Sequence, residues 1–84
     1  MDLENDLRTE TIKWLQRAEE IFEKISSRED ESERFYTNIA AYIFDSHYFL
    51  DRNDLIRAFE AVIWAWAWIE IGQDIGILII EDDK

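Results

Sequence analysis

Few residues of this chain could do chemistry, and their spacing decides against most of what they could do. His47 is its only histidine, preceded by Asp45 and Ser46. These three residue types could form a proton relay, but neighbours on a helix diverge by about 100° and cannot hydrogen-bond in series. A zinc or iron site would need further ligands at matched helical spacing, as in Glu-x-x-His or His-x-x-x-His, and neither pattern occurs. The absence of cysteine removes disulfides, thiolate metal sites and a thiol nucleophile. Glycine occurs only at positions 72 and 76, too sparsely for a phosphate-binding loop. Glu60 and Glu70 remain; Glu70 falls between the directions of Ile63 and Trp66, so partial burial and a structural partner are expected. No catalytic, cofactor-binding or metal-binding residue is expected, and the chain reads as a non-enzyme.

These side chains must be carried by helices, and the central one is the stretch Asp54 to Gly72, DLIRAFEAVIWAWAWIEIG. Asn53 can adopt the left-handed conformation that ends one helix, and Asp54 can cap the next. At about 100° per residue, Leu55, Phe59, Val62, Ile63, Trp66 and Ile69 share a face, flanked by Ala58, Ala61 and Ala65. This predicts a core face with an alanine edge. The opposite side should be polar, yet it carries Trp64, Trp68 and Ile71 beside Arg57 and Glu60.

The preceding helix is expected from about 30 to 52, with Phe35, Ile39, Tyr42, Ile43, Ser46, Phe49 and Leu50 on its core face. Its far side shows the same surplus, Phe44 and Tyr48 one turn apart. Phe44, Tyr48, Trp64, Trp68 and Ile71 are therefore the candidate interface residues, because aromatic side chains concentrate at the energetic centres of interfaces. Whether the pairs join depends on the rotation of each helix.

A first helix is expected from Leu3 to Ile25 or Ser26. Leu7, Thr11, Trp14, Ala18, Ile21 and Ile25 form its stripe, widened by Leu15 and Phe22. The polar run SSREDESE, 26 to 33, reads as a linker with an acidic helix start. After Gly72, Ile77 to Ile80 form a short apolar tail before the acidic end EDDK. The tail is expected to fold back over the exposed tryptophans or to pair with another copy, since a wet apolar run invites aggregation.

Composition agrees with a single all-α domain spanning 1–84, an up-and-down three-helix bundle with a short apolar C-terminal tail (third helix about 54–75). Proline is absent, and 48% of the 84 residues are hydrophobic. Nine basic residues against twenty acidic ones leave a net charge of −11, which disfavours nucleic acid and anionic lipid as partners. Arg57, Glu60, Glu70 and Asp74 leave an uncharged run only from Ala61 to Ile69, too short for a membrane span. With no signal-peptide pattern at the N-terminus, a cytoplasmic location is expected.

The run AYIFDSHYFLDRNDLIRAFEAVIWAWAWIEIG, Ala40 to Gly72, closely resembles the short archaeal proteins grouped as domain of unknown function 357. The resemblance rests on the DSxYFL-like segment (Asp45, Ser46, Tyr48, Phe49, Leu50), the acidic turn residue Asp54, the RAFEA segment and the Trp64 to Trp68 run. Asn53 stands where glycine is common, and both tolerate positive φ. The resemblance implies a compact up-and-down three-helix bundle and an archaeal source, and it implies no activity.

Two readings of function follow. The first is a small acidic interaction module that forms a homodimer or holds an unidentified protein partner. The alternative is a nucleotide- or small-ligand-binding helical domain similar to the helical partners of nucleotidyltransferases, whose hairpins resemble FLxxxDxxxAxxA. An RNase of that architecture would carry arginine four to six residues before histidine; here the nearest preceding arginine is Arg34, too far from His47.

Overall fold

The structure is a computed structural model that describes residues 2–26 and 30–81. Three helices make up the bundle: α1 (Leu3–Phe22), α2 (Asp30–Asp51) and α3 (Leu55–Asp74). Each observed cap has a local cause. The side chains of Asp2 and Asp54 accept hydrogen bonds from the backbone N–H groups of Asn5 and Arg57, both at 3.3 Å, satisfying amides that the first turn leaves free.

The ends of α2 and α3 use one device. Asn53, at φ 60°, donates its N–H to Leu50 O, and the Asp54 N–H reaches Phe49 O. At the end of α3, Gly76 has φ 78° and donates to Gln73 O, while the Ile77 N–H reaches Gly72 O. Both are left-handed stops that return two carbonyls to hydrogen bonding. Asn53 and Gly76 are the residues able to hold that conformation without strain.

The core face of α3 is rotated from the one predicted. Leu55, Ala58, Ala61, Val62, Ala65, Ile69 and Gly72 are its buried residues, whereas Ile63 is 48% exposed. The face turned to its neighbours is thus the small-residue edge, because alanine lets helix backbones approach closely. Ser46 uses that closeness: its buried hydroxyl donates to Ala58 O at 2.9 Å, tying α2 to α3. Leu15 and Ala18 of α1, Ile39 and Ile43 of α2, and Val62, Ala65 and Ile69 of α3 form the centre of the core.

α1 stops three residues or more before the predicted Ile25 or Ser26. The cause lies in the tail. Ile25 forms an antiparallel bridge with Ile80, the Ser26 N–H donates to Ile79 O, and the Glu81 N–H donates to Lys24 O. Residues that donate and accept across this bridge cannot also continue a helix. Leu78, 3% exposed, sits against Gly72. The tail therefore folds back onto the ends of α1 and α3, while Trp64 stays exposed. Part of the expected 26–33 linker, residues 27–29, lies outside the described residues, as do 82–84 of the acidic end.

Candidate functional site

The five candidate interface residues do not share one environment. Phe44 is 68% exposed on the outer side of α2, and Tyr48, one turn on, lies against Phe49 and beneath the Arg52 guanidinium at 3.9 Å from its ring. Trp64 is 56% exposed but stacks on Tyr42 with ring centroids 6.1 Å apart. Tyr42 and Phe44 are about 200° apart around α2, so Trp64 reaches the flank of α2 away from Phe44. The two aromatic pairs thus present separate surfaces. Trp68 is half-buried, edge-on to Phe35 at 4.8 Å, and belongs to the packing around the core. Ile71 is exposed on the outer side of α3.

Trp64 and Ile71 belong to a longer apolar stripe that includes Ile56 and Ala67 on the solvent side of α3. Glu60, Glu70 and Asp74 interrupt that side, and all three are exposed. The expected partial burial of Glu70 is not found. The rotation that buries the alanines carries Glu70 outward with Ile63.

A second feature, which the sequence does not place, is a cleft of about 490 Å³ between α1 and α3. Leu7, Phe59, Ile63, Trp14 and Trp66 form its apolar lining, and Asp6, Glu10 and Glu70 supply its charged side chains. The two indoles lock its inner end. The Trp66 Nε1–H donates to the Trp14 carbonyl at 3.0 Å, and the rings meet edge to face at 5.8 Å. Arg17 covers the Trp14 ring at 4.8 Å. The signal available in the sequence was Asp6 and Glu10, one turn apart beside Leu3 and Leu7. Without the rotation of α3, nothing showed which side chains would face them.

Several titratable groups form surface pairs. His47 Nε2 lies 2.6 Å from Glu19 Oε2, joining α2 to α1 at a partly exposed position. Asp45 and Ser46 point elsewhere, Ser46 into the α2–α3 contact. The Glu10 carboxylate is held below its usual range, chiefly by the hydrogen bond with Lys13 and then by that from the Trp14 indole. Asp54 is likewise lowered by its hydrogen bond with Arg57, which in turn raises Arg57. Among the described residues, no group of three His, Cys, Asp or Glu side chains is placed to hold a metal ion, and no helix is long and apolar enough to cross a membrane.

Comparison with known proteins adds family without activity. No curated protein matches the chain. The crystal structure of an Archaeoglobus fulgidus protein assigned to family DUF357 is 52% identical, covering 95% of this chain and 100% of that one, with a TM-score of 0.87. The profile of the same family, described as "Protein of unknown function (DUF357)", matches residues 13–78. That span contains the capped α2–α3 hairpin, the alanine edge and the tail contact at Leu78, and the chain is a member of the DUF357 family.

Proposed function

We propose that the protein is an interaction module that self-associates through the outer face of α3. The observation that carries this reading is the exposure of Ile56, Trp64 and Ile71, at 67%, 56% and 52%, on a helix whose other side already forms the core. A helix apolar on all sides ordinarily lies inside a protein. Among the described residues this second apolar side stays largely uncovered, with Tyr42 stacked against one edge of it at Trp64. Phe44 and Tyr48 offer a further apolar surface on α2.

The reading is of a binding protein and not of an enzyme. A nucleotide finds little support in the cleft, whose charged lining among the described residues is carboxylate and would repel phosphate.

Light scattering coupled to size exclusion over a range of concentrations tests the proposal. The expected result is a species near twice 10.1 kDa at high concentration. Trp64→Ser combined with Ile71→Ser should return it to the monomer mass with the helical circular dichroism retained. A wild-type protein that stays monomeric at every concentration would sink the self-association reading.

A further inference from the structure

We propose that the α1–α3 cleft docks a basic amphipathic helix from another protein. This goes beyond self-association, since it concerns the side of α3 turned toward α1, which adjoins the outer face at Ile56 and Glu70, and a partner of opposite charge.

The shape is that of a trough. Past Leu3 and Leu7 the cleft runs on into a second hollow of about 510 Å³ that reaches Asn53 and Ile56. From Ile56 to Glu70, α3 advances about 21 Å at 1.5 Å per residue. A trough of that length matches three or four turns of a docked helix, whose apolar residues at i, i+3 or i+4, and i+7 would follow one another along it. A compact ligand would leave most of it empty.

Among the groups that line the trough, the unpaired charge is acidic. Asp6, Glu10 and Glu70 line the first hollow, Glu4 and Asp54 the second, and among the described residues neither is lined by lysine or arginine. Three of these carboxylates already have cations: Glu4 with Arg8 at 4.0 Å, Glu10 with Lys13 at 3.1 Å, and Asp54 with Arg57 at 2.8 Å. Among the described contacts, the side chains of Asp6 and Glu70 have none, and they stand on opposite walls of the trough, one on α1 and one on α3. Lysines or arginines flanking an apolar stripe would meet both walls.

A second copy of the chain fits poorly in this cleft. It carries a net charge of −11 and would bring like charges to an acidic rim. Electrostatic complementarity thus selects a cationic occupant, and the apolar floor selects an amphipathic one.

The test uses the full chain and three synthetic peptides of about 18 residues, a length that spans such a trough. The first places leucines on one helical face and lysines on the other. The second replaces lysine with glutamate, and the third scrambles the leucine–lysine order so that no apolar face forms. Binding is followed by intrinsic tryptophan fluorescence and mapped by amide chemical shifts. The first peptide alone should bind, shifting Leu7, Phe59, Ile63 and Trp66. Asp6→Lys with Glu70→Lys, both at exposed positions, should weaken it at least ~10-fold with circular dichroism unchanged. Trp64→Ser with Ile71→Ser should bind it as the wild type does, which separates this site from the self-association face. Equal binding by the scrambled or glutamate peptide, shifts centred on another face, or an unaffected charge-reversed variant would each overturn the proposal. So would amide shifts on self-association centred on Leu7, Phe59 and Trp66, since a second copy would then occupy the cleft.

Discussion

One missing methyl group at Gly72 connects α3 to the tail. A Cβ built there would lie 2.5 Å from Leu78 Cδ1, which forces Leu78 to shift, and a tight 3.1 Å from Phe35 Cδ2. Alanine would improve helix propensity by up to about 1 kcal/mol, yet it would drive Leu78 from its pocket. Overpacking costs about 1–3 kcal/mol, so Gly72→Ala should lower the melting temperature and weaken hydrogen-exchange protection at the Leu78 amide. Unchanged protection there would refute the contact. Asp54 provides a second residue-scale test. Its folded-state pKa is lowered, first by the Arg57 side chain, so its stabilisation is fully present above the ordinary carboxylate range, near pH 4. It is lost as pH falls through the lowered folded value. Asp54→Asn should keep much of the cap and lose that acid dependence, whereas Asp54→Ala should lose both. Thermal melts from pH 7 to pH 2 separate the three proteins. The cap and the left-handed Asn53 were legible because each depends on a few adjacent residues. The partner of Gly72 was not, because Phe35 and Leu78 come from distant positions.

At the scale of elements, the small-residue edge of α3 sets how closely α2 can lie. Ala58 and Ala65 are fully buried at that contact, and Ser46 bonds to the Ala58 carbonyl across it. Ala65→Leu should therefore cost about 1–3 kcal/mol through overpacking, measured by urea denaturation. A gain in stability would show that the helices are not in close contact there. The tail is the second element with a measurable role. Ending the chain after Gly76 removes buried Leu78 and the bridge between Ile25 and Ile80. Burial of one leucine contributes about 1.5–3 kcal/mol, so the truncated protein should lose at least about that much while keeping its three helices. An unchanged melting temperature would mean the tail does not hold in solution.

For the whole molecule, shape and charge act in opposite directions. The radius of gyration is 13.5 Å, against about 12 Å expected for a compact domain of this length, and the extents are 43 × 27 × 18 Å. The accessible surface of 5897 Å² exceeds the roughly 5,300 Å² usual at this mass. So slender a bundle cannot hide the second side of α3, and this favours association. The net charge of −11 opposes it, since two copies repel. Raising the salt from about 0.05 to 0.5 M shortens the Debye length to a few ångströms and should strengthen self-association, as read by sedimentation velocity. Docking of a lysine-rich helix in the cleft should respond in the opposite direction, weakening with salt. The same variable therefore separates the two surfaces.

The sequence by itself determined the three helices, their polar breaks, the turn at Asn53 and Asp54, the family resemblance and the excess of apolar side chains over what one core can use. Those properties rest on periodicity, capping chemistry and composition, all of which are local or additive along the chain. Only the tertiary structure decided how far each helix turns about its own axis. Trp64 and Trp68 show the consequence: four residues apart on α3, one is mostly exposed and the other packs against Phe35. The same rotation set Ile63 and Glu70 on the wall of a cleft opposite Asp6, and the tail ended α1 at Phe22 by bonding to the residues beyond it. Such outcomes depend on which of several nearly equivalent apolar faces packs best against distant parts of the chain, and that competition is settled only when all three helices and the tail are in place.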